Sequence, residues 1–167
     1  MLQYFVRQPI KDLDENIIGY EIMFNSEGGS ALYNNGDDRA AADAIVNFLM
    51  QKSDNFFDHR TAFLTFTPNL LFRNIPKIFE KNRLVIQIDD NVIIHPLTNN
   101  FLIRFREQGY QIAFNDFQFA PRYFAIMDLI DYVRLDFSQG TDSYENVVTM
   151  ARNFNKKVIA YKVDTQE

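Results

Sequence analysis

Cysteine is absent from this chain of 167 residues. Disulfides, thiolate metal sites and cysteine nucleophiles are therefore excluded, and a reducing cytoplasm fits this composition. Long apolar runs are also missing, since no stretch reaches the roughly eighteen apolar residues that a membrane-spanning helix needs. The first ten residues, MLQYFVRQPI, lack the basic start and long apolar region of a secretory signal. We expect a cytoplasmic protein that does not act at a membrane.

Acidic residues outnumber basic ones, 22 to 17. The chain has no basic run and carries a net charge of −5, which argues against a general nucleic-acid or membrane surface. Apolar residues are abundant instead: the hydrophobic fraction is 47%, and there are 17 phenylalanines. This composition is ample for a packed core, and the length predicts a single domain over residues 1–167.

Strand and helix patterns alternate along most of the chain. LQYFVRQPI and IIGYEIMFN are rich in β-formers and flank the turn-like KDLDEN, which predicts a hairpin. Further strands are predicted at TAFLTFT, RLVIQIDD, YQIAFND, DYVRLDF and KKVIAYKV. Helices are predicted after the candidate cap Asp38, with an apolar face of Ala41, Ala44, Ile45, Phe48 and Leu49, and at 68–75, 98–109, 121–130 and 144–151. Repeated βα units predict a parallel sheet, open or closed into a barrel, with later strands covered on both faces.

Polar residues follow the apolar part of each predicted βα strand. They are Thr65, Thr67, Gln87, Asp89, Asp90, Asn115, Asp116, Arg134, Asp136, Tyr161 and Lys162. Because parallel strands share a direction, these side chains are expected to meet at one rim, where α/β sheets place ligands. The competing interpretation is that any strand meets water at its ends. Gln87, Asn115 and Arg134 favour a site, because they lie within or next to apolar runs where a polar group needs a partner.

The order of these blocks resembles the EAL family, the cyclic di-GMP phosphodiesterases of bacterial signalling. Gln8-Pro9-Ile10 matches the family's Gln-Pro-Ile, and GYEIMFN matches its Gly-Tyr-Glu-Ala-Leu-x-Arg signature, with Glu21 as the signature glutamate. AFLTFTPNLL, LVIQIDD, GYQIAFNDF, IDYVRLDF and VIAYKVDT follow in the family's order. GYQIAFNDF and IDYVRLDF are most similar to the branch that carries an EAL-like domain before an HDOD domain. The resemblance implies a TIM-like (β/α) barrel with an antiparallel first strand, here truncated before the last βα units.

The family hydrolyses one phosphodiester bond with two divalent cations at the strand ends, and this chain departs from that pattern. Where the family has an asparagine and then a glutamate, this chain has Thr65 and Gln87. The family's Asp-Asp pair corresponds to Asn115-Asp116, and its lysine to Arg134.

Two further departures complete the comparison. Tyr161 stands where the family has the glutamate of its Ala-Glu-x-Val-Glu block, and Asn25 stands where its first signature ends in arginine. Of the expected anionic ligands only Glu21 and Asp116 are left. Two carboxylates are too few for a close pair of Mg²⁺ or Mn²⁺ ions, so we expect no catalytic residue, no metal and no cofactor.

Three functions are weighed on this basis. The favoured one is a non-catalytic EAL-like domain that binds a partner protein or an adjoining HDOD-like domain, with a homodimer as a further option. Aromatic residues that could serve such contacts, or simply pack, are Tyr33, Phe56, Phe57, Phe119 and Tyr123. The alternative is a receptor that does not hydrolyse cyclic di-GMP but binds it, with Gln8, Glu21 and Asp116 as the contacting residues. The least favoured is an active metallophosphodiesterase that uses Asp89, Asp90 and Asp116.

Overall fold

A computed structural model describes residues 3–26, 45, 59–118, 120–139 and 144–163. The strands are β1 Gln3–Lys11, β2 Ile17–Ser26, β3 Thr61–Thr65, β4 Leu84–Ile88, β5 Gln111–Phe114, β6 Tyr132–Asp136 and β7 Lys157–Tyr161. The α-helices are α1 Pro68–Phe72, α2 Asp90–Ile93, α3 Thr98–Glu107 and α4 Tyr144–Asn153. Short 3₁₀ helices span Ile75–Ile78, Pro121–Ile126 and Phe137–Gln139.

The strands form a seven-stranded sheet in the order β1 to β7. β1 and β2 pair antiparallel, with Gln8 opposite Glu21, which confirms the predicted hairpin. The pairs β2–β3, β5–β6 and β6–β7 are parallel, as the repeated βα pattern predicts. The predicted α/β fold with an antiparallel first pair is therefore confirmed.

Contacts between Cα atoms divide the chain into two compact units, residues 1–86 and 87–167. In the first unit, the buried core includes Tyr20, Ile22, Phe63, Leu64, Leu70 and Leu71. Helix α1 starts as predicted, because Pro68 occupies its first turn and the Thr67 side chain accepts a hydrogen bond from the Leu70 amide at 3.4 Å.

In the second unit, the buried core includes Leu102, Phe105, Ile112, Phe114, Val133 and Leu135. Helix α3 ends before Gly109, whose φ of 93° is a left-handed value that glycine adopts without strain. All five residues of β4 and of β6 are buried, as predicted for strands covered on both faces.

Strand β7 differs from that prediction. Lys157, Val158 and Ala160 are exposed, and only Ile159 is buried. The apolar run is misleading here because β7 is the last strand in the sheet order, so within the described part of the chain it pairs only with β6.

Two other sequence predictions meet the structure only in part. Of the helix predicted after Asp38, the described residues include only Ile45, which is helical and buried; Ala41, Ala44, Phe48 and Leu49 lie outside them. Tyr123 is 2% exposed, so packing is the correct interpretation of that aromatic residue. Tyr33, Phe56, Phe57 and Phe119 lie outside the described residues. No helix in the described ranges has the length and apolar character to cross a membrane.

Candidate functional site

The strand ends of the second unit bring several of the predicted polar residues together. Asn115 follows β5 directly, and its backbone amide donates to the carbonyl of Ile88 at the end of β4, at 2.9 Å. The amide of Phe117 donates to the carbonyl of Arg134 in β6 at 3.1 Å. These backbone bonds hold the Asn115-Asp116 segment between the ends of β4 and β6.

Side-chain hydrogen bonds connect Asp89 to Asn115 and Asn115 to Arg134. The Asn115 amide nitrogen donates to the Asp89 carboxylate at 2.7 Å, and the Arg134 guanidinium donates to the Asn115 side-chain oxygen at 2.6 Å. The guanidinium carbon also lies 4.6 Å from the centre of the Tyr161 ring. Four of the predicted rim positions are therefore in one contact network.

Arg134 is the most unusual member of this network. The residue is 3% exposed, although arginine is almost never buried unless it is paired. A guanidinium has only donors and keeps its positive charge in proteins, so it needs acceptors and negative charge nearby. The Asn115 oxygen and the face of the Tyr161 ring supply an acceptor and a favourable quadrupole.

A second cluster surrounds Asp136 at the end of β6. One carboxylate oxygen accepts from the Lys162 ammonium at 2.6 Å, and the other accepts from the Ser138 amide at 2.9 Å and the Ser138 hydroxyl at 2.6 Å. The Tyr144 hydroxyl donates to the Asp136 carbonyl, and the Tyr144 ring stacks on Phe137. Hydrogen bonds from Lys162 and Ser138 lower the pKa of Asp136 to about 2.

Asp116 has the opposite electrostatic environment. Its φ is 53°, a left-handed value that aspartate and asparagine tolerate better than most residues. Partial burial raises the pKa of its carboxyl, and the charges of Asp136 and Asp89 add to that rise. Lys162 and Arg134 act in the other direction. The folded state therefore disfavours the charged form of Asp116, in contrast to that of Asp136.

The two aspartates predict opposite effects of pH on stability. Because the pKa of Asp136 is lowered from 3.8, its contribution is complete above that value and is lost as the pH falls towards 2. Asp136→Asn should therefore lower the melting temperature at neutral pH and flatten its decline in acid. Asp116→Asn should raise the melting temperature slightly at neutral pH, because the folded state disfavours the charged carboxyl there. Thermal melts from neutral pH down to about pH 2.5 check both variants. If both substitutions change the melting temperature in the same direction at neutral pH, the opposite roles given to Asp136 and Asp116 are contradicted.

The contacts that define these two clusters do not include the other predicted site residues, which lie on strands β1 to β4. In the first unit, Gln8 and Glu21 face each other across β1 and β2; Gln8 is exposed and Glu21 is half-buried. Thr65 is the half-buried last residue of β3. Asn25 lies in β2 opposite Tyr4, and its side chain is outside the description. In the second unit, Gln87 is fully buried in β4.

Sequence reasoning did not assign partners to Asp136 and Lys162, and it missed Ser138 and Tyr144. A carboxylate two residues before a serine is a local signal for the Asp136–Ser138 turn. The ion pair with Lys162 spans 26 residues and has no local signal. Asp90 was considered as a metal ligand, and its carboxylate instead pairs with Arg122 at 3.2 Å. Among the described residues, no group of three or more His, Cys, Asp or Glu side chains is arranged to hold a metal ion.

Comparison with known proteins gives relatives that are longer than this chain. No protein-family model matches it. The uncharacterized protein YuxH of Bacillus subtilis is 25% identical over 174 residues, which cover 100% of this chain and 42% of YuxH. The cyclic di-GMP phosphodiesterase CdgJ of Vibrio cholerae is 25% identical over 171 residues, which cover 98% of this chain and 39% of CdgJ. The chain therefore spans about two fifths of the length of these curated relatives.

A solved structure decides the fold. The YkuI protein of Bacillus subtilis, which has an EAL domain and was solved with its substrate cyclic di-GMP and calcium, matches with a TM-score of 0.68. The match covers 98% of this chain and 49% of YkuI, at 19% identity. This chain has the EAL-domain fold. Cyclic di-GMP phosphodiesterases have a related fold. At 19% identity, the similarity to YkuI establishes the fold of this chain and not its activity.

Proposed function

We propose that this chain is a non-catalytic EAL domain that acts through contacts with proteins in cyclic di-GMP signalling. The observation that carries the proposal is the Asp89–Asn115–Arg134 network. The resemblance places an acid at Asn115 and a lysine at Arg134. An amide that bridges a carboxylate and a guanidinium fills that place instead, and neither the amide nor the guanidinium supplies an anionic ligand.

The donor set of the described strand ends does not fit a pair of divalent cations. Mg²⁺ and Mn²⁺ prefer carboxylate oxygens, and a cation or donor already bound to such an oxygen competes with the metal ion. Asp89 accepts from the Asn115 amide and Asp136 from the Lys162 ammonium, so both carboxylates already have positive or donor partners. A guanidinium next to Asn115 also repels an incoming metal ion. We therefore derive no hydrolytic step through metal ions for this chain.

Exposed aromatic surface in the second unit supports a role in protein contacts. Phe124 and Phe154 are 43% and 46% exposed and line a groove of about 370 Å³ together with Met150. Asn146, Thr149 and Asn153 complete the lining. Aromatic and methionine side chains beside uncharged polar groups are typical of protein interfaces. A partner protein or an adjoining HDOD-like domain fits such a surface.

A receptor that binds cyclic di-GMP without hydrolysis is the second candidate. The pairing of Gln8 with Glu21 across β1 and β2 favours it, because directly opposed side chains lie on the same face of a sheet. YkuI was solved with cyclic di-GMP, and CdgJ is named as a phosphodiesterase of that nucleotide. The loss of a phosphate-binding arginine at Asn25 weighs against this candidate, because an arginine–phosphate fork is a main source of affinity.

An active metallophosphodiesterase that uses Asp89, Asp90 and Asp116 is the least supported function. Asp89 is bonded to Asn115 and Asp90 to Arg122. Asp116 is left, and one carboxylate is too few to hold a close pair of divalent cations.

Nucleotide turnover and binding test the proposal together. Cyclic di-GMP incubated with the chain and either Mg²⁺ or Mn²⁺ should stay intact, while CdgJ under the same conditions serves as the active control. Calorimetric titration with the nucleotide should give no heat at high micromolar concentration.

The two readouts separate the candidates. Heat without turnover that disappears in Gln8→Ala would favour the receptor, and turnover that is lost in Asp116→Asn would favour the phosphodiesterase. Either result contradicts the proposed function.

A further inference from the structure

We infer that Arg134 is a built-in structural cation that balances the carboxylates at the strand ends of the second unit. Its buried charge is linked to Asp89 through the Asn115 amide, so the folded strand ends require no divalent ion. This inference goes beyond the proposed function, because it concerns charge balance inside the domain. It can hold whether or not the domain binds a nucleotide.

The first step is the local charge balance. Asp89, Asp116 and Asp136 lie at the same strand ends: burial is the main cause of the raised pKa of Asp116, and the charges of Asp136 and Asp89 add to it. Arg134 and Lys162 act in the opposite sense on the same carboxyl. Three carboxylates held together without cations would repel one another, so these two side chains stabilise the arrangement.

The second step distinguishes Arg134 from Lys162. The Lys162 side chain is 58% exposed, so water screens much of its pairing with Asp136. Arg134 is 3% exposed, and screening by water is weak at that depth. Lys162 acts more strongly on the Asp116 carboxyl, whereas the buried guanidinium is the cation that water screens least from Asn115 and, through that amide, from Asp89.

The third step is the orientation of Asn115. Its side-chain oxygen faces the guanidinium, which has only donors, and its amide nitrogen faces the Asp89 carboxylate, which has only acceptors. Only one of the two amide orientations satisfies both neighbours. The asparagine thus links the positive charge of Arg134 to the negative charge of Asp89 while adding no charge itself.

The test compares two replacements of Arg134 by thermal melting. Arg134→Lys keeps the charge and loses the planar fork, whereas Arg134→Met keeps length and apolar packing without charge. If the charge matters, Arg134→Met should lower the melting temperature by about 6–20 °C and Arg134→Lys by roughly half of that or less. Replacing a buried charge with an apolar residue can instead stabilise a protein, so an Arg134→Met variant as stable as Arg134→Lys overturns the inference.

Rescue by a free cation gives an independent readout. Arg134→Ala leaves space near Asn115, and low-millimolar guanidinium should raise its melting temperature by about 3–6 °C at ten times the dissociation constant. Urea, which is neutral and of similar shape, should have no such effect. Equal responses to the two compounds would contradict a role for the charge.

Controls tie these shifts to the site. Arg152→Met removes an exposed arginine in the last turn of α4, and it should change the melting temperature by less than about 2 °C. The wild-type melting temperature should be the same in a chelator and in millimolar Mn²⁺. A rise of several degrees in Mn²⁺ would show that the strand ends lack a cation, and would overturn the inference even if cyclic di-GMP is never cut.

Discussion

Phe114→Ala is expected to lower the free energy of unfolding by about 3–5 kcal/mol, the range for a buried phenylalanine reduced to alanine. Phe114 is fully buried at the end of β5, directly before Asn115. Its ring lies 5.6 Å from that of Phe117, edge to face, and 5.2 Å from that of Tyr123. These contacts hold the segment that carries Asn115 and Asp116, so the loss should reach the site as well as the core.

Chemical denaturation followed by circular dichroism measures this effect. Most of the lost unfolding free energy comes from the cavity that Phe114→Ala leaves in the aromatic cluster. Phe114→Leu fills much of that cavity and should therefore cost only about 1–2 kcal/mol. Phe124→Ala is the matched control, because that phenylalanine is 43% exposed and should cost less than about 1 kcal/mol. Equal losses for Phe114→Ala and Phe124→Ala would contradict the role given to the Phe114 cluster.

Asp131→Ala is expected to cost about 2–4 kcal/mol, because it removes the partner of a buried backbone amide together with a charged hydrogen bond. The Asp131 carboxylate accepts from the Ile112 amide at 2.9 Å and from the Arg106 guanidinium at 2.8 Å. Its backbone also bonds to Ile112 in β5 and to Lys157 in β7. Asp131 therefore joins helix α3 and three strands at the amino end of β6.

Substitutions with different chemistry separate the two parts of this effect. Asp131→Asn keeps an acceptor for the Ile112 amide and loses the charge opposite Arg106, so its cost should be about half that of Asp131→Ala. Asp128→Ala, at an exposed position nearby, should lie within about 0.5 kcal/mol of the wild type. If Asp128→Ala costs as much as Asp131→Ala, the contacts of the Asp131 carboxylate are not what stabilises this junction.

Much of the fold follows from local patterns. The hairpin at β1 and β2 could be predicted because strong β-formers flank a turn of Asp, Glu and Asn. The later strands could be predicted because buried parallel strands are apolar throughout. The sequence of strand β7 is similarly apolar. The exposure of its side chains could not be predicted, because that exposure depends on the place of β7 at the end of the sheet order.

The site could be predicted only in part. The sequence places Asn115, Arg134 and Tyr161 near one another, because residues at the ends of parallel neighbouring strands meet at one edge. It does not show that the Asn115 oxygen would face Arg134 and its nitrogen Asp89, since that choice depends on contacts across 19 and 26 residues. Asp131 could not be singled out either, because an aspartate before a strand looks like an ordinary loop residue until its partners are known.

The central claim is that the strand ends of the second unit already contain the cations they need. Mn²⁺ titration followed by electron paramagnetic resonance tests it most directly, because free and bound Mn²⁺ give different signals. We predict that Mn²⁺ stays free at micromolar concentration in the wild type. Two Mn²⁺ ions bound per chain, with the spin coupling of a close pair, would contradict the account.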